Sequence, residues 1–269
     1  MTDASDLYLD LLKACLTNRI YGDVELRSVK PRNWWKRRVV SELERRGLGV
    51  VRSERVDWAE REVGYDWLPT AHTMIGDARL ADLQACIEGV IKDEIPGDLI
   101  EAGVWRGGAT IFMRGVLKAH GVTDRAVWVA DSFEGLPPPD LERSPQDEGD
   151  LHHTIEELAV SLDAVRSNFE RYGLLDEQVR FLPGWFKDTL PAAPIERLAV
   201  LRIDGDMYES TMDALAALYP KLSVGGYAIV DDYALAPCRK AVEDYRAAAG
   251  ITDEIRQIDW TGVYWRRSG

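Results

Sequence analysis

Four acids define the chemistry this chain can do. The stretch 198–211, LAVLRIDGDMYEST, drives an apolar run into Asp204-Gly205-Asp206, and a helical pattern follows at once. Two residues apart on an extended backbone, the two carboxylates point to the same side. A second apolar run, 225–230, ends in Asp231-Asp232, 27 and 28 residues after Asp204. As adjacent buried strands of a parallel sheet, the two runs would bring all four carboxylates to one sheet edge. Like charges at that spacing disfavour one another, so the cluster needs a cation or bound protons. An all-oxygen set suits a hard divalent ion such as Mg²⁺, and nothing in it suits zinc. Such an ion can orient a hydroxyl and lower its pKa. An ordinary Asp, with a pKa of about 4, is a weak base toward a free alcohol; next to an acidified hydroxyl the mismatch shrinks, and Asp206 becomes a candidate general base. The alternatives are that Asp206 orients an acceptor or caps the helix that begins near Ser210. His72, His120, His152 and His153 are the other candidate bases. Of these, His152-His153 reads as a solvated loop pair, and His120 as a cation at a helix end.

Upstream, Glu101-Ala102-Gly103-Val104-Trp105-Arg106-Gly107-Gly108 follows an apolar run. A glycine-rich turn between strand and helix lets backbone approach a ligand closely, or simply makes a tight turn. The spacing departs from the GxGxxG dinucleotide fingerprint. It resembles the E-x-G-x-x-x-G loop of methyltransferases that use S-adenosylmethionine. The next strand ends in Asp131, 28 residues after Gly103, near the interval at which an acid meets a ribose hydroxyl in nucleotide folds. Trp185 is placed to pack on an adenine or in the core. No GxxxxGK[ST] loop occurs, which argues against a nucleoside triphosphatase.

These residues need strand ends to hold them. From Asp98 onward strands (98–104, 126–133, 179–183, 197–204, 225–232) alternate with helices (108–120, 154–172, 210–222, 237–249), and 255–259 with 262–266 resembles a closing antiparallel hairpin. The pattern predicts an α/β, Rossmann-like class I fold: a mostly parallel seven-stranded sheet with helices on both faces. Residues 1–97 read as an N-terminal helical extension or cap on the core, 98–269, in one compact unit. Its helices are expected at 1–20, with Tyr8, Leu11, Leu12, Cys15 and Leu16 as the apolar stripe, and at 77–93. Residues 21–72 carry Trp34-Trp35, Trp58 and Trp67 among charges. They fit a helical cap, a dimer surface or an aromatic wall for a bulky ligand. Residues 134–150, EGLPPPDLERSPQDEGD, form a long loop, either a lid or an inert insertion.

With 46% apolar and 29% charged residues over 269, the composition is that of a soluble globular protein. No apolar run approaches the roughly 20 residues of a membrane span. The acidic start lacks a basic n-region, which points to a cytoplasmic protein. A net charge of −13 argues against a nucleic-acid binder. Arg27, Lys30, Arg32, Lys36, Arg37, Arg38, Arg45 and Arg46 form a basic exception. Cys15, Cys86 and Cys238 lie far apart and read as reduced.

Seven stretches together resemble the macrocin O-methyltransferase family: YLDLLK, AHTMIG (71–76), EAGVWRGGA, WVADSFEGLP (128–137), NFERYGLLDEQVRFLPGWFKDTLP (168–191), LRIDGDMYEST and the DDY at 231–233. Residues 21–70 match no family pattern. The resemblance implies an S-adenosylmethionine- and Mg²⁺-dependent O-methyltransferase of antibiotic biosynthesis that acts on a sugar hydroxyl of a glycosylated small molecule. It implies metal ligation by Asp204, Asp231 and Asp232, with Asp206 as base. It places the methyl donor on Glu101, Gly103, Val104, Trp105, Arg106, Gly107 and Gly108, and by their positions Trp185 and Asp204 are expected beside it. Asp131 and Ser132 would hold the ribose, and Thr73 and Met74 would close over the methionine end. A homo-oligomer is expected, with no nucleic-acid or membrane partner. Two other classes stay open: a catechol-type phenol O-methyltransferase, and a non-catalytic adenosylmethionine-binding module. The second has no use for the acid cluster.

Overall fold

The computed structural model describes residues 3–22, 24–29, 31–67 and 69–269; Met1 and Thr2 of the predicted first helix and the basic Lys30 lie outside them. Helix α1 (Ala4–Leu16) starts at Asp3, whose carboxylate accepts from the Ala4 amide, and buries Leu9, Leu12 and Leu16. The buried face is thus rotated from the predicted stripe, and Leu11 is exposed.

The unassigned stretch 21–72 holds an antiparallel hairpin, β1 (Val24–Ser28) with β2 (Val51–Arg55). Between the strands runs α2 (Trp34–Arg45), and α3 (Trp58–Glu62) follows. Only Glu25 of the hairpin is buried, and no residue of α2 is. VELRS and VRSER offer only Val24, Leu26 and Val51 as apolar side chains, all on one face and all exposed, too few for periodicity to mark them as strands. Trp34 and Trp35 stand exposed on α2.

Helix α4 (Asp77–Lys92) leads into the alternating core: β3 (Asp98–Ala102), α5 (Gly108–Ala119), β4 (Val127–Asp131), α6 (Leu162–Arg171), β5 (Val179–Pro183), α7 (Phe186–Thr189), β6 (Leu198–Ile203), α8 (Tyr208–Leu218), β7 (Leu222–Val230), α9 (Ala236–Ala249), β8 (Arg256–Gln257) and β9 (Val263–Arg266). The sheet order is β5-β4-β3-β6-β7-β9-β8. Strands β3 to β7 are parallel, and β9 runs antiparallel to both β7 and β8. This is the predicted mostly parallel seven-stranded sheet. One face packs α1, α4, α5 and α6 through Leu9, Leu83, Phe112 and Phe169. The other packs α8 and α9 through Leu215 and Val242, beside Trp265 of β9. The chain leaves β3 toward β4 and β5 on one side and returns to β6 and β7 on the other. That reversal opens a crevice at the carboxyl ends of β3 and β6, where open α/β sheets bind ligands. Among the described residues no helix is long and apolar enough to cross a membrane, and the three cysteines are unbridged.

The helix predicted from residue 154 begins only at Leu162. Ser161 caps it by accepting from the Ala164 amide, and 152–158 form two short 3-10 turns instead. The long connection ahead of it is tied down rather than inert. Asp147 is fully buried, and its two carboxylate oxygens accept from the amides of Tyr208 (2.6 Å) and Glu209 (3.0 Å). It satisfies the first amides of α8 from 61 residues away. Arg143 adds ion pairs to Asp213 (2.6 Å) and Glu209.

Two stability predictions follow from this packing. Leu9→Ala should lower unfolding free energy by about 2–5 kcal/mol, with a single urea transition. A separate early transition would show that α1 packs independently of the core. Asp147→Ala should cost about 1–2 kcal/mol and speed proteolysis within 134–160; an unchanged cleavage rate would contradict its role as the tether.

Candidate active site

The ends of β3, β6 and β7 open into a cavity of about 460 Å³. Pairing of Ile203 with Val230 sets Asp204 beside Asp231. Asp204, Asp231 and Asp232 each present an oxygen within 4.8 Å of the others. Oxygens on opposite sides of a Mg²⁺ with bonds of about 2.1 Å would lie about 4.2 Å apart, so modest side-chain movement closes the set around an ion. Asp206 also lines the cavity. Its backbone is left-handed (φ 53°), a strained state for a non-glycine residue, and its amide donates to Asp232 Oδ2 at 3.1 Å. It does not cap α8, because Asp147 does.

Two arginines enter this cluster that the sequence reading did not place there. Arg202 lies on β6 directly opposite Glu101 on β3 and shares a face with Asp204. Its Nη1 pairs with Glu101 and, at 3.1 Å, with Asp204; its Nη2 lies 2.6 Å from Asp231 Oδ1. Arg79 comes from α4 and pairs with Asp231 Oδ2 and, at 2.8 Å, with Asp259. The expected need for positive charge is therefore met in part by the protein itself. Two buried guanidiniums still face Glu101, Asp204, Asp206, Asp231 and Asp232. Burial pushes Glu101 up to about 8, although Arg202 opposes it. Burial and the neighbouring Asp204 push Asp206 up to about 7. Burial and the surrounding acids raise Asp232 well above the usual carboxylate range. Asp231 is the exception: burial raises it, but Arg202 and Arg79 outweigh burial and hold it below its ordinary value. Its Oδ1 meets Arg202 at 2.6 Å, and a carboxylate oxygen keeps a second lone pair that a cation can use. A local clue existed for Arg202, a cation inside an otherwise apolar strand two residues before an acid. Arg79 had none, since its partner is 152 residues away.

Ten of the predicted donor-binding residues line the cavity: Thr73, Met74, Glu101, Gly103, Val104, Trp105, Asp131, Ser132, Trp185 and Asp204. Arg106, Gly107 and Gly108 do not line it and instead hold the loop. Arg106 donates to the Pro69 (2.5 Å) and Ala71 (2.7 Å) carbonyls. Gly107 takes the left-handed turn (φ 83°) before α5. A Cβ on Gly108 would overlap the His72 carbonyl, and one on Gly103 (φ 90°) would overlap that of Asp204. Both glycines therefore admit other parts of the chain. Asp131 accepts from the Val104 (2.8 Å) and Phe133 (2.7 Å) amides, so it shapes the loop; a carboxylate keeps lone pairs beyond those two bonds for a ligand hydroxyl. Trp105 meets Trp67 edge to face at 6.1 Å and donates from Nε1 to the Glu157 carbonyl. Trp67 is thus the one aromatic of Trp34, Trp35, Trp58 and Trp67 that lines the cavity.

The loop after β4 walls the cavity with Leu136, Pro137, Pro138 and Asp140. His152 also faces it, whereas His153 does not. The reading of a solvated pair therefore fails for His152. Its Nδ1 is 2.6 Å from Asp150; burial lowers its pKa, but Asp150 and Asp206 outweigh burial and raise it. His120 ends α5, 3.1 Å from Glu88.

The family model described as Macrocin-O-methyltransferase (TylF) matches residues 5–267, so residues 21–70, expected to match no family pattern, fall inside it. The chain is 54% identical over 267 residues to the 8-demethyl-8-(2,3-dimethoxy-alpha-L-rhamnosyl)-tetracenomycin-C 4'-O-methyltransferase of Streptomyces olivaceus, covering 99% of this chain and 94% of that one. It is 52% identical over 266 residues to the mycinamicin III 3''-O-methyltransferase of Micromonospora griseorubida, covering 98% and 97%. The solved structure of the O-methyltransferase NovP superposes with a TM-score of 0.82 at 50% identity, over 98% of this chain and 100% of that one. Fold, crevice and sequence agree, and the chain belongs to the macrocin O-methyltransferase family.

Proposed function

We propose that this protein transfers the methyl group of S-adenosylmethionine to a sugar hydroxyl of a glycosylated natural product, with Mg²⁺ held by Asp204, Asp231 and Asp232. The observation that carries this reading is the excess of carboxylates over guanidiniums at the strand ends, beside the Gly103 loop. Family membership supports O-methyl transfer. The names of the two curated relatives give sugar-bearing or secondary-product acceptors and a hydroxyl position, which supports a glycoside over a free catechol.

When bound, S-adenosylmethionine supplies an electrophilic methyl group, and Mg²⁺ supplies a Lewis acid that acidifies and orients a hydroxyl. The chain's own part is mainly placement. The Gly103–Trp105 backbone, Asp131, Ser132 and Trp185 form the donor wall, and Thr73 and Met74 bound its methionine end. Asp206 takes the acceptor proton; burial favours its neutral form and so makes it a stronger base than an exposed carboxylate. Its left-handed backbone presents the side chain to the cavity. Arg202 and Arg79 fix the Asp231 rotamer and keep it ionised. The loop pinned by Asp147 walls the same space with Leu136, Pro137 and Pro138.

Two measurements test this. Methyl transfer from labelled S-adenosylmethionine to a panel of glycosylated natural products, mycinamicin III among them, should fall by at least about 100-fold in excess chelator and return with Mg²⁺. Full activity in chelator would remove the metal from the account. Asp206→Asn should keep donor and metal affinity while kcat drops by about 10²–10⁴-fold. An unchanged kcat would exclude Asp206 as the base.

A further inference from the structure

We propose that Trp260, backed by Tyr65, is an aromatic platform that binds the apolar face of the acceptor's aglycone next to the methylated sugar. The inference deepens the glycoside reading above and rests on it.

Both rings are large and unusually open. Trp260 is 48% exposed and Tyr65 65% exposed, yet the two meet edge to face at 5.0 Å and 69°. Trp260 lines the same cavity as the carboxylates. It sits on the turn between β8 and β9, and Tyr65 on the turn after α3. Nothing in local sequence pairs two turns nearly 200 residues apart. What pairs them is Arg79.

Arg79 passes between the two turns. Its Nη2 is 3.3 Å from the carbonyls of both Val63 and Gly64, and its Nε donates to Asp259 at 2.8 Å. A Cβ on Gly64 would overlap its guanidinium, and one on Gly262 would lie 2.9 Å from its Cδ. Asp259 in turn accepts from the amides of Thr261 (3.0 Å) and Gly262 (2.7 Å). Thr261 Oγ1 donates to the Asp231 carbonyl at 2.9 Å, and Trp260 Nε1 to the Val63 carbonyl at 3.0 Å. The exposed indole is therefore held by Val63, and the turn that carries it by the backbone of Asp231, a proposed metal ligand. A ring already ordered loses little freedom when a ligand stacks on it.

Its place suits the acceptor rather than the donor. The donor wall is built from the ends of β3 and β4. Trp260 adjoins the end of β7, on the far side of Asp204. In-line displacement puts acceptor oxygen and sulfur on opposite sides of the methyl carbon. A further wall of the cavity, with Asp140, His152 and Ser210, is polar. A ligand with one hydroxylated edge and one apolar face fits between the two, which describes a sugar joined to a flat or hydrophobic aglycone.

The test is calorimetric binding to the full chain in the presence of S-adenosylhomocysteine and MgCl₂. The probes are 4-nitrophenyl α-L-rhamnopyranoside and methyl α-L-rhamnopyranoside, rhamnosides because one relative is named for a rhamnosyl acceptor. The wild-type chain should bind the aryl glycoside about tenfold more tightly than the methyl glycoside. Trp260→Ala should erase that preference, and Trp260→Phe, which keeps a ring but loses the Val63 bond, should retain most of it. Melting temperature and S-adenosylhomocysteine affinity should be unchanged in both. A preference that survives in Trp260→Ala, or an absent preference in the wild type, overturns the platform. The binding preference is read without turnover. Failure of the wild type to methylate any glycoside therefore overturns the functional reading separately.

Discussion

Arg202 stands where three strand ends meet, and the site depends on how far its charge goes. One guanidinium, buried in an otherwise apolar strand, touches Glu101, Asp204 and Asp231. Removing one partner from a buried ion network leaves an uncompensated charge and typically costs about 3–5 kcal/mol. The network therefore locks the relative positions of β3, β6 and β7 at the edge where chemistry is proposed. Arg202 and Arg79 together fall short of neutralising the acids around them. Burial first, and that shortfall second, raises Asp204, Asp206 and Asp232. It also gives a divalent cation its place in the account.

The N-terminal extension belongs to this arrangement. Arg79, from α4, supplies the second cation to Asp231 and organises the turns at 63–65 and 258–262. Arg106 reaches back from the Gly103–Gly108 loop to the carbonyls of Pro69 and Ala71. Thr73 and Met74 line the cavity from the same extension. We propose that residues 1–97 act as a cap whose contacts shape both donor and acceptor walls, with 98–269 as the core beneath it. The hairpin and α2 are the part of this extension that buries least.

Much of this was legible beforehand, for physical reasons. Buried parallel strands read as continuous apolar runs, so β3 to β7 stood out, and with them the acids at their ends. Parallel order then put Asp204 beside Asp231 without further information. Several features escaped. Strands β1 and β2 carry only Val24, Leu26 and Val51 on their apolar face, too short a pattern to betray them. Periodicity suggested a helix from 154, but a serine at 161 set its start. The cap of α8 is Asp147, from a loop with no helical context. Arg79, Asp259 and Trp260 are joined only through space. The glycine-rich pattern at 103–108 suggests close approach of a ligand, whereas Gly103 and Gly108 first admit neighbouring protein.

The most direct test of the central claim is anomalous diffraction from crystals grown with Mn²⁺, which takes the same oxygen ligands as Mg²⁺. One strong peak is expected at about 2.0–2.2 Å from oxygens of Asp204, Asp231 and Asp232. A cluster that stays empty while Mn²⁺ binds elsewhere, or a peak that excludes Asp231 because both its oxygens remain committed to Arg79 and Arg202, would contradict it.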